Sequence, residues 1–442
     1  MYDFRFGLIW TFTYTGSILP FFYFKTGIID PWFNLFIFLG IYFWVFAYRS
    51  QKLSKEILLV FLSAATLGLA ILTKGPVALM VFLIIAGILF LFNGFRLGLN
   101  WKSILVFTVA LVIVGGFWFL LQFITGNGDV IIDFFHYQIR LFQTKDAGHG
   151  GFPLFHLIIL LFGVFPASVF AIQGHRYRGP MDTRKFFHIS MIVLLWTVLV
   201  LFSIVKTKIV HYSSLSYFPV TYLAAYAVYR IIDGKTSFFR WQKIMLGVIG
   251  GIEAILIILL PVFIANKHSL ISKGFITHSF TIGNLQADPG WSTFHSLIGL
   301  VLITGLFLSF FIIKRNKALQ LGIIYISSLL FIYLAIVFIT PGAEKISQRA
   351  AIDFIKETSK EDVYIHSFYK SYATLFYGNK PPPEDKRVFN TEWLTKGDID
   401  KDAYFIIRID KKDEVLAKYS NIDVIYEKNG YVFCKRPAKP DE

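Results

Sequence analysis

Cysteine is almost missing from this chain: Cys434 stands alone in 442 residues, which excludes an intrachain disulfide and any cysteine-based metal cluster. Charge is scarce as well. Asp, Glu, Lys and Arg make up only 16% of the chain, and they gather between long apolar runs. No two histidines stand at i, i+4 and no carboxylates cluster at metal-ligand spacing, so a divalent metal has no ligand motif here. Residues 340–442 lack a phosphate-cradling glycine loop, and the chain shows no internal repeats. Nothing reads as a cleavable leader, because Met1-Tyr-Asp-Phe-Arg5 runs straight into a full-length apolar segment.

What is present is hydrophobic. With 55% hydrophobic and 18% aromatic residues and a mean hydropathy of +0.60, the composition excludes an ordinary soluble globule and predicts a polytopic membrane protein. By length and apolarity about eleven spans are expected, at 6–24, 32–48, 56–73, 76–93, 103–124, 153–173, 188–205, 212–230, 244–265, 294–313 and 318–339.

Alternate loops are basic. Arg49, Lys52 and Lys55 share one, Arg96 and Lys102 the next, then come Arg176, Arg178, Arg184 and Lys185. Arg230, Lys235, Arg240 and Lys243 follow, and Lys314, Arg315 and Lys317 close the series. The positive-inside rule places these loops and the N-terminus in the cytoplasm and residues 340–442 outside. The net charge of +15 is accounted for by these loops, so no nucleic-acid partner is implied. The opposite loops carry Asp30, Asp129, Asp133, His136, Asp146, His149, His278 and Asp288, so site chemistry is expected on the outer face.

The expected domains are a transmembrane one over 1–339 and a small soluble α/β domain over 340–442. In the tail, 343–358 has helical periodicity, while Val363–His366 and Tyr404–Arg408 read as strands. Ile422–Tyr426 and Tyr431–Lys435 flank Asn429-Gly430, a strong hairpin signal. A Pro381-Pro-Pro383 loop lies between.

Four stretches carry candidate chemistry. Asp30-Pro31 opens a helix, which capping alone accounts for, yet the same carboxylate can orient or deprotonate an acceptor hydroxyl. In Leu72-Thr-Lys-Gly-Pro-Val-Ala-Leu79, Lys74 complements a helix end, Gly75 supplies a left-handed turn and Pro76 opens the next helix. That geometry does not require a lysine on the outer face. Residues 125–156 read as the longest outer loop before the tail; in it His149 lies between glycines, which let a phosphate or metal come close, and a plain solvated loop is the alternative. Ser203-Ile-Val-Lys-Thr-Lys-Ile-Val-His-Tyr212 puts Lys206 and Lys208 on the outer side, against the charge rule. An interfacial phosphate supplies a reason, with snorkelling as the rival. Glu253 lies mid-span and is expected to face the bundle interior.

In this order the motifs resemble those of GT-C fold membrane glycosyltransferases, the bacterial relatives of protein O-mannosyltransferases and of the lipid A aminoarabinose transferase. The acidic motif of that family resembles Ile28-Ile-Asp-Pro-Trp-Phe-Asn34, and its LTKGP turn stands intact at Leu72–Pro76. Its histidine-glycine loop resembles Ala147-Gly-His-Gly-Gly151 with Phe165-Pro166 beyond, and its lysine-histidine-tyrosine segment resembles Thr207-Lys-Ile-Val-His-Tyr212. The match runs over 1–230, weakens over 231–339 and is only architectural in the tail. Members begin with a span, an outer loop carrying an Asp-Glu motif and a second span. No Asp-Glu pair precedes Asp30 here, so a missing beginning is expected, and with it the family's principal catalytic carboxylate.

The resemblance implies transfer of a sugar from a polyprenyl-phosphate carrier to a lipid, glycan or protein acceptor on the periplasmic face of a bacterial inner membrane. Asp30 would assist the acid/base chemistry. Lys208, with Lys206, His211 and Tyr212, would clamp the leaving phosphate, and Lys74, Arg140 and His149 would help line the site. The rival readings are a non-catalytic polyprenyl-phosphate binder and a transporter. The second should show paired broken helices in two related halves, which this chain lacks.

Overall fold

The computed structural model describes residues 2–92, 98–143, 152–180, 182–379 and 386–438. His149 and Pro381-Pro-Pro383 lie outside them. Among the described residues seven helices are long and apolar enough to cross a bilayer: Asp30–Ala47, Leu53–Lys74, Trp101–Ile124, Thr183–Ile204, Arg240–Ala265, Thr293–Ile312 and Lys317–Ser347. The chain is an integral membrane protein.

Length and composition single out fewer than the eleven expected spans, although every expected segment carries helix. The first breaks at Gly16-Ser17 into Phe4–Thr15 and Ile18–Tyr23. The sixth bends by 109° between Phe155–Gly163 and Ala167–Gly174, an eighth crossing if the pair is counted as one. Val77–Phe92 and Tyr217–Ile232 have 16 residues each, or about 24 Å at the helical rise, short of the ~30 Å hydrocarbon core. Apolar composition alone does not separate a spanning helix from one enclosed by protein. Tyr217–Ile232 is buried along nearly its whole length and continues directly from the 3₁₀ segment Val210–Ser216.

The chain forms two compact units, Met1–Glu253 with Val301–Ile332, and Ala254–Leu300 with Tyr333–Glu442. In the first, helices pack closely where side chains are small. A Cβ on Gly68 would stand 2.7 Å from Val114 and 2.9 Å from the Gly115 backbone, and one on Gly174 would stand 2.0 Å from the Leu223 carbonyl oxygen. Between lipid-immersed helices, which gain nothing from hiding apolar surface from water, such backbone approach is the main source of attraction. Ser63 adds an interhelical bond, donating from Oγ to the Gly40 carbonyl at 2.7 Å.

The expected outer loop 125–156 is also corrected. Gly128–Gln143 is a 16-residue helix with Ile132, Phe135 and Ile139 exposed on one side. It is too short to pass a span-length test and too apolar for a solvated loop, the pattern of a helix lying along an interface.

The second unit contains a four-stranded sheet of β1 (Tyr364–Ser367), β2 (Ala403–Arg408), β3 (Asp423–Lys428) and β4 (Tyr431–Arg436), ordered β1-β2-β4-β3. β1 runs parallel to β2, and β4 is antiparallel to both its neighbours. Alternation sends Phe405, Ile407, Val432 and Cys434 to one face. Ile406, Tyr431 and Phe433 go to the other, against Ala350, Ala351, Phe354 and Ile355 of the helix Arg349–Thr358. The hairpin tip has φ of 49° at Asn429 and 85° at Gly430, the pair of left-handed residues that an Asn-Gly turn supplies. The expected helix 343–358 is broken at Gln348 into Thr340–Ser347 and Arg349–Thr358.

Candidate functional site

Asp30 begins the helix Asp30–Ala47, with Ile29 at the cap position and no side-chain cap bond. Capping therefore does not occupy the carboxylate. Its Oδ1 accepts from Lys74 Nζ at 2.7 Å, with the Asp30 side chain 8% exposed and that of Lys74 34%. Lys74 ends the next helix in the chain, Leu53–Lys74, which packs on Asp30–Ala47. One helix start and one helix end thus meet at the same membrane face, where the dipoles favour an anion and a cation respectively. Gly75 follows with φ of 99°, as the Lys-Gly-Pro order predicts. A Cβ there would also lie 2.6 Å from Phe134 Cζ, so this turn requires glycine twice over.

The third strip of sequence arrives from the end of Thr183–Ile204, through Val205–Ile209 into the 3₁₀ segment Val210–Ser216. Asn34, one turn below Asp30, donates from Nδ2 to Ser214 Oγ at 2.7 Å, and Ser214 Oγ donates in turn to the His211 carbonyl. That tie holds Tyr212 beside the ion pair. The Lys74 ammonium lies 5.7 Å from the centre of the Tyr212 ring and 5.9 Å from that of Phe33. Tyr212 packs on His211 and on Phe202, each at 5.3 Å, and Phe202 is 6.0 Å from His156. His156 is fully buried, and neither ring nitrogen has a partner among the described residues.

The structure therefore brings together Asp30, Lys74, His211 and Tyr212. It separates the two lysines of the fourth motif. Lys206 is exposed, with no bonding partner among the described residues. Lys208 is turned inward, 6% exposed, and its Nζ donates to the carbonyls of Phe202, Ser203 and Val205 at 2.8, 2.7 and 2.7 Å. An ammonium has three protons, and all three are used. In this structure the Lys208 side chain closes the open carbonyl end of the helix Thr183–Ile204 rather than presenting its ammonium beside Asp30 and Lys74.

Arg140 lies on the helix Gly128–Gln143, exposed, its guanidinium 5.1 Å from the Tyr137 ring centre. His149 falls outside the described residues. Glu253 keeps one buried carboxylate oxygen with no partner among them. Among the described residues no three His, Cys, Asp or Glu side chains converge as metal ligands. Sequence reasoning missed Asn34, Ser214, Phe33 and His156. Asn34 was legible in principle, four residues after Asp30 on one helix face.

Residues 25–131 match the family described as dolichyl-phosphate-mannose-protein mannosyltransferase. They contain Asp30 and Lys74, so that match falls on two of the three converging strips. No curated protein matches the sequence at a significant level. The crystal structure of ArnT from Cupriavidus metallidurans bound to undecaprenyl phosphate superposes with a TM-score of 0.73 at 15% identity, covering 99% of this chain and 80% of that one. The same protein in the apo state gives 0.69 at 14%, with the same coverage. The fold is that of a GT-C membrane glycosyltransferase. The Asp30–Lys74 pair sits where the start of one helix meets the end of the next, and Tyr212 lies beside it.

Proposed function

We propose that this chain moves a sugar from a polyprenyl-phosphate carrier to a lipid, glycan or protein acceptor on the periplasmic face. The observation that carries the reading is the convergence of Asp30, Lys74 and Tyr212 from three distant segments at one membrane face. The similar structure bound to undecaprenyl phosphate supports the class of carrier. In the transfer, the acceptor oxygen forms a bond to the anomeric carbon while the bond from that carbon to the carrier phosphate breaks. The acceptor proton passes to a base, and the phosphate leaves with the negative charge. Stabilising that charge is the largest task open to cations in a partly dehydrated site.

Lys74, held by Asp30, and the free Lys206 supply that charge. Tyr212 adds a hydroxyl donor. Asp30 Oδ1 is engaged with Lys74, so any direct role for this carboxylate in orienting the acceptor hydroxyl falls to Oδ2. The tail is assigned to acceptor docking rather than chemistry. Its thiol, Cys434, is buried, and burial pushes it up to about 11, which leaves it un-ionised and without nucleophilic use.

A charge-assisted hydrogen bond is worth roughly 1.5–3 kcal/mol, so Lys206→Ala should weaken binding of undecaprenyl phosphate about tenfold to a hundredfold. Lys52→Ala, in a loop at the far end of Leu53–Lys74, should leave it unchanged, and undecaprenol without its phosphate should bind weakly to both. Equal affinity in Lys206→Ala and the parent would remove Lys206 from the site. Release of polyprenyl phosphate from a charged carrier, with the sugar on an acceptor, supports transfer; binding without release favours the binder reading.

The sidedness rests on the alternating basic loops. A reporter active only in the periplasm, fused after Cys434, should be active. Activity from a cytoplasmic reporter at the same junction instead would invert the topology and put the site inside.

A further inference from the structure

A second charged site lies at the other end of the same bundle. Gln173, Arg176, Arg178, Tyr226, Arg230 and Trp241 are among the residues lining a cavity of about 240 Å³, built where the end of Ala167–Gly174, the end of Tyr217–Ile232 and the start of Arg240–Ala265 meet. Three arginines line it, Arg230 with its guanidinium also bonded to the Arg178 and Lys235 carbonyls, and among the described residues no carboxylate lines it. The nearby acids are committed elsewhere: Asp233 to Arg5 and Lys235, and Asp182 to Arg184. Like charges gathered without a counter-ion raise the energy of the empty site, and an anion lowers it.

The frame of the cavity is rigid. Tyr226 Oη donates to the Arg178 carbonyl at 3.2 Å and accepts from the Arg178 amide at 2.9 Å, while Arg230 donates to the same carbonyl at 2.8 Å. Gln242 donates to Gln173 Oε1 at 3.0 Å, and Gln173 donates to Thr236 Oγ1, also at 3.0 Å. Those bonds fix the backbone from which Arg176 and Arg178 project, and among the described residues neither side chain is paired with an acid. The 16-residue helix Tyr217–Ile232 separates this cavity from the Tyr212 strip, a rise of about 24 Å, so the two sites lie at opposite ends of that helix. Phe239, 43% exposed, and Trp241 stand beside the arginines, as aromatic side chains do at the level of lipid headgroups.

We propose that this cavity binds the phosphate of an anionic phospholipid headgroup, at the opposite end of that helix from the transfer site. Guanidinium forks match phosphate oxygens in pairs, and basic pockets between membrane helices are a recurring seat for such headgroups. The flanking aromatics favour a lipid, whose acyl chains need an apolar approach, over a free phosphate.

The test uses the full-length protein in detergent, with bound lipid counted by native mass spectrometry. The parent should retain phosphatidylglycerol about tenfold more tightly than phosphatidylcholine, and Arg176→Gln with Arg178→Gln should bring that preference to about twofold or less. Lys314→Gln with Arg315→Gln removes the same charge from another basic loop and should preserve the preference. Arg178→Lys keeps the charge but loses the fork, so an intermediate loss is expected, and this variant still reads the site if the double change fails to fold. Equal loss in the Lys314/Arg315 pair would mean bulk attraction and overturn the site. Displacement of the lipid by inorganic phosphate at equal concentration would overturn the headgroup assignment.

Discussion

Lys208→Met should lower the stability of the protein by about 3–5 kcal/mol, because three carbonyls lose a charged donor at once and each such bond is worth roughly 1.5–3 kcal/mol before water partly replaces it. The carbonyls of Phe202 and Ser203 belong to the last turn of Thr183–Ile204 and that of Val205 to its C-cap, and Lys208 is 6% exposed. Water therefore reaches the orphaned oxygens poorly, which keeps the loss large. Thermal unfolding in detergent reads the effect directly. Lys206→Ala, two residues away and exposed, should melt with the parent while losing affinity for the carrier. The two lysines of one motif thus separate into a structural and a ligand-facing role. A Lys208→Met protein that melts like the parent, yet fails to hold undecaprenyl phosphate, would return Lys208 to the phosphate.

The Asp30–Lys74 pair should respond unequally to the loss of either partner. Lys74→Met strands a carboxylate that is 8% exposed, and leaving a buried charge unpaired costs about 3 kcal/mol or more. Asp30→Asn leaves an ammonium with a third of its side chain exposed, which water can solvate, so a loss of about 1 kcal/mol is expected. The double variant should resemble Asp30→Asn, because the stranded carboxylate is gone. All three should bind undecaprenyl phosphate more weakly than the parent, since Lys74 is either lost or no longer held beside Tyr212. Equal destabilisation by the two single changes would show that water reaches Asp30 freely and that the pair is a surface contact.

Much of the candidate site was legible before any coordinates, and the reason differs from residue to residue. Asp30, Lys74 and Tyr212 each stood out because a charge or a hydroxyl at a span boundary needs an account. Lys208 stands out for the same reason, but the structure gives its ammonium three backbone carbonyls. From sequence, a lysine that violates the charge rule invites a phosphate; which way its flexible stem turns depends on where the helix Thr183–Ile204 runs out of donors. His156 gave no signal, since a histidine beside a glycine-rich stretch reads as part of the loop. Its burial follows from Phe202 and the helix it sits on. Asn34 acts through Ser214, a residue 180 positions away, and no local pattern encodes that tie.

Hydropathy and loop charge, read in one dimension, determined that this is a polytopic membrane protein, where its apolar helices lie, and that an Asn-Gly hairpin closes its tail. Those are local quantities: transfer free energy per residue, turn chemistry and the sign of short loops. Tertiary structure decided which apolar segments break and which are sheltered by neighbouring helices, because both follow from packing between distant parts of the chain. It also decided that Asp30 holds Lys74, that Lys208 closes a helix end, and that two basic loops share one cavity. Each is a choice of hydrogen-bond or charge partner, and in a low-dielectric interior such groups pair with whatever the packing of distant helices places within about 3 Å.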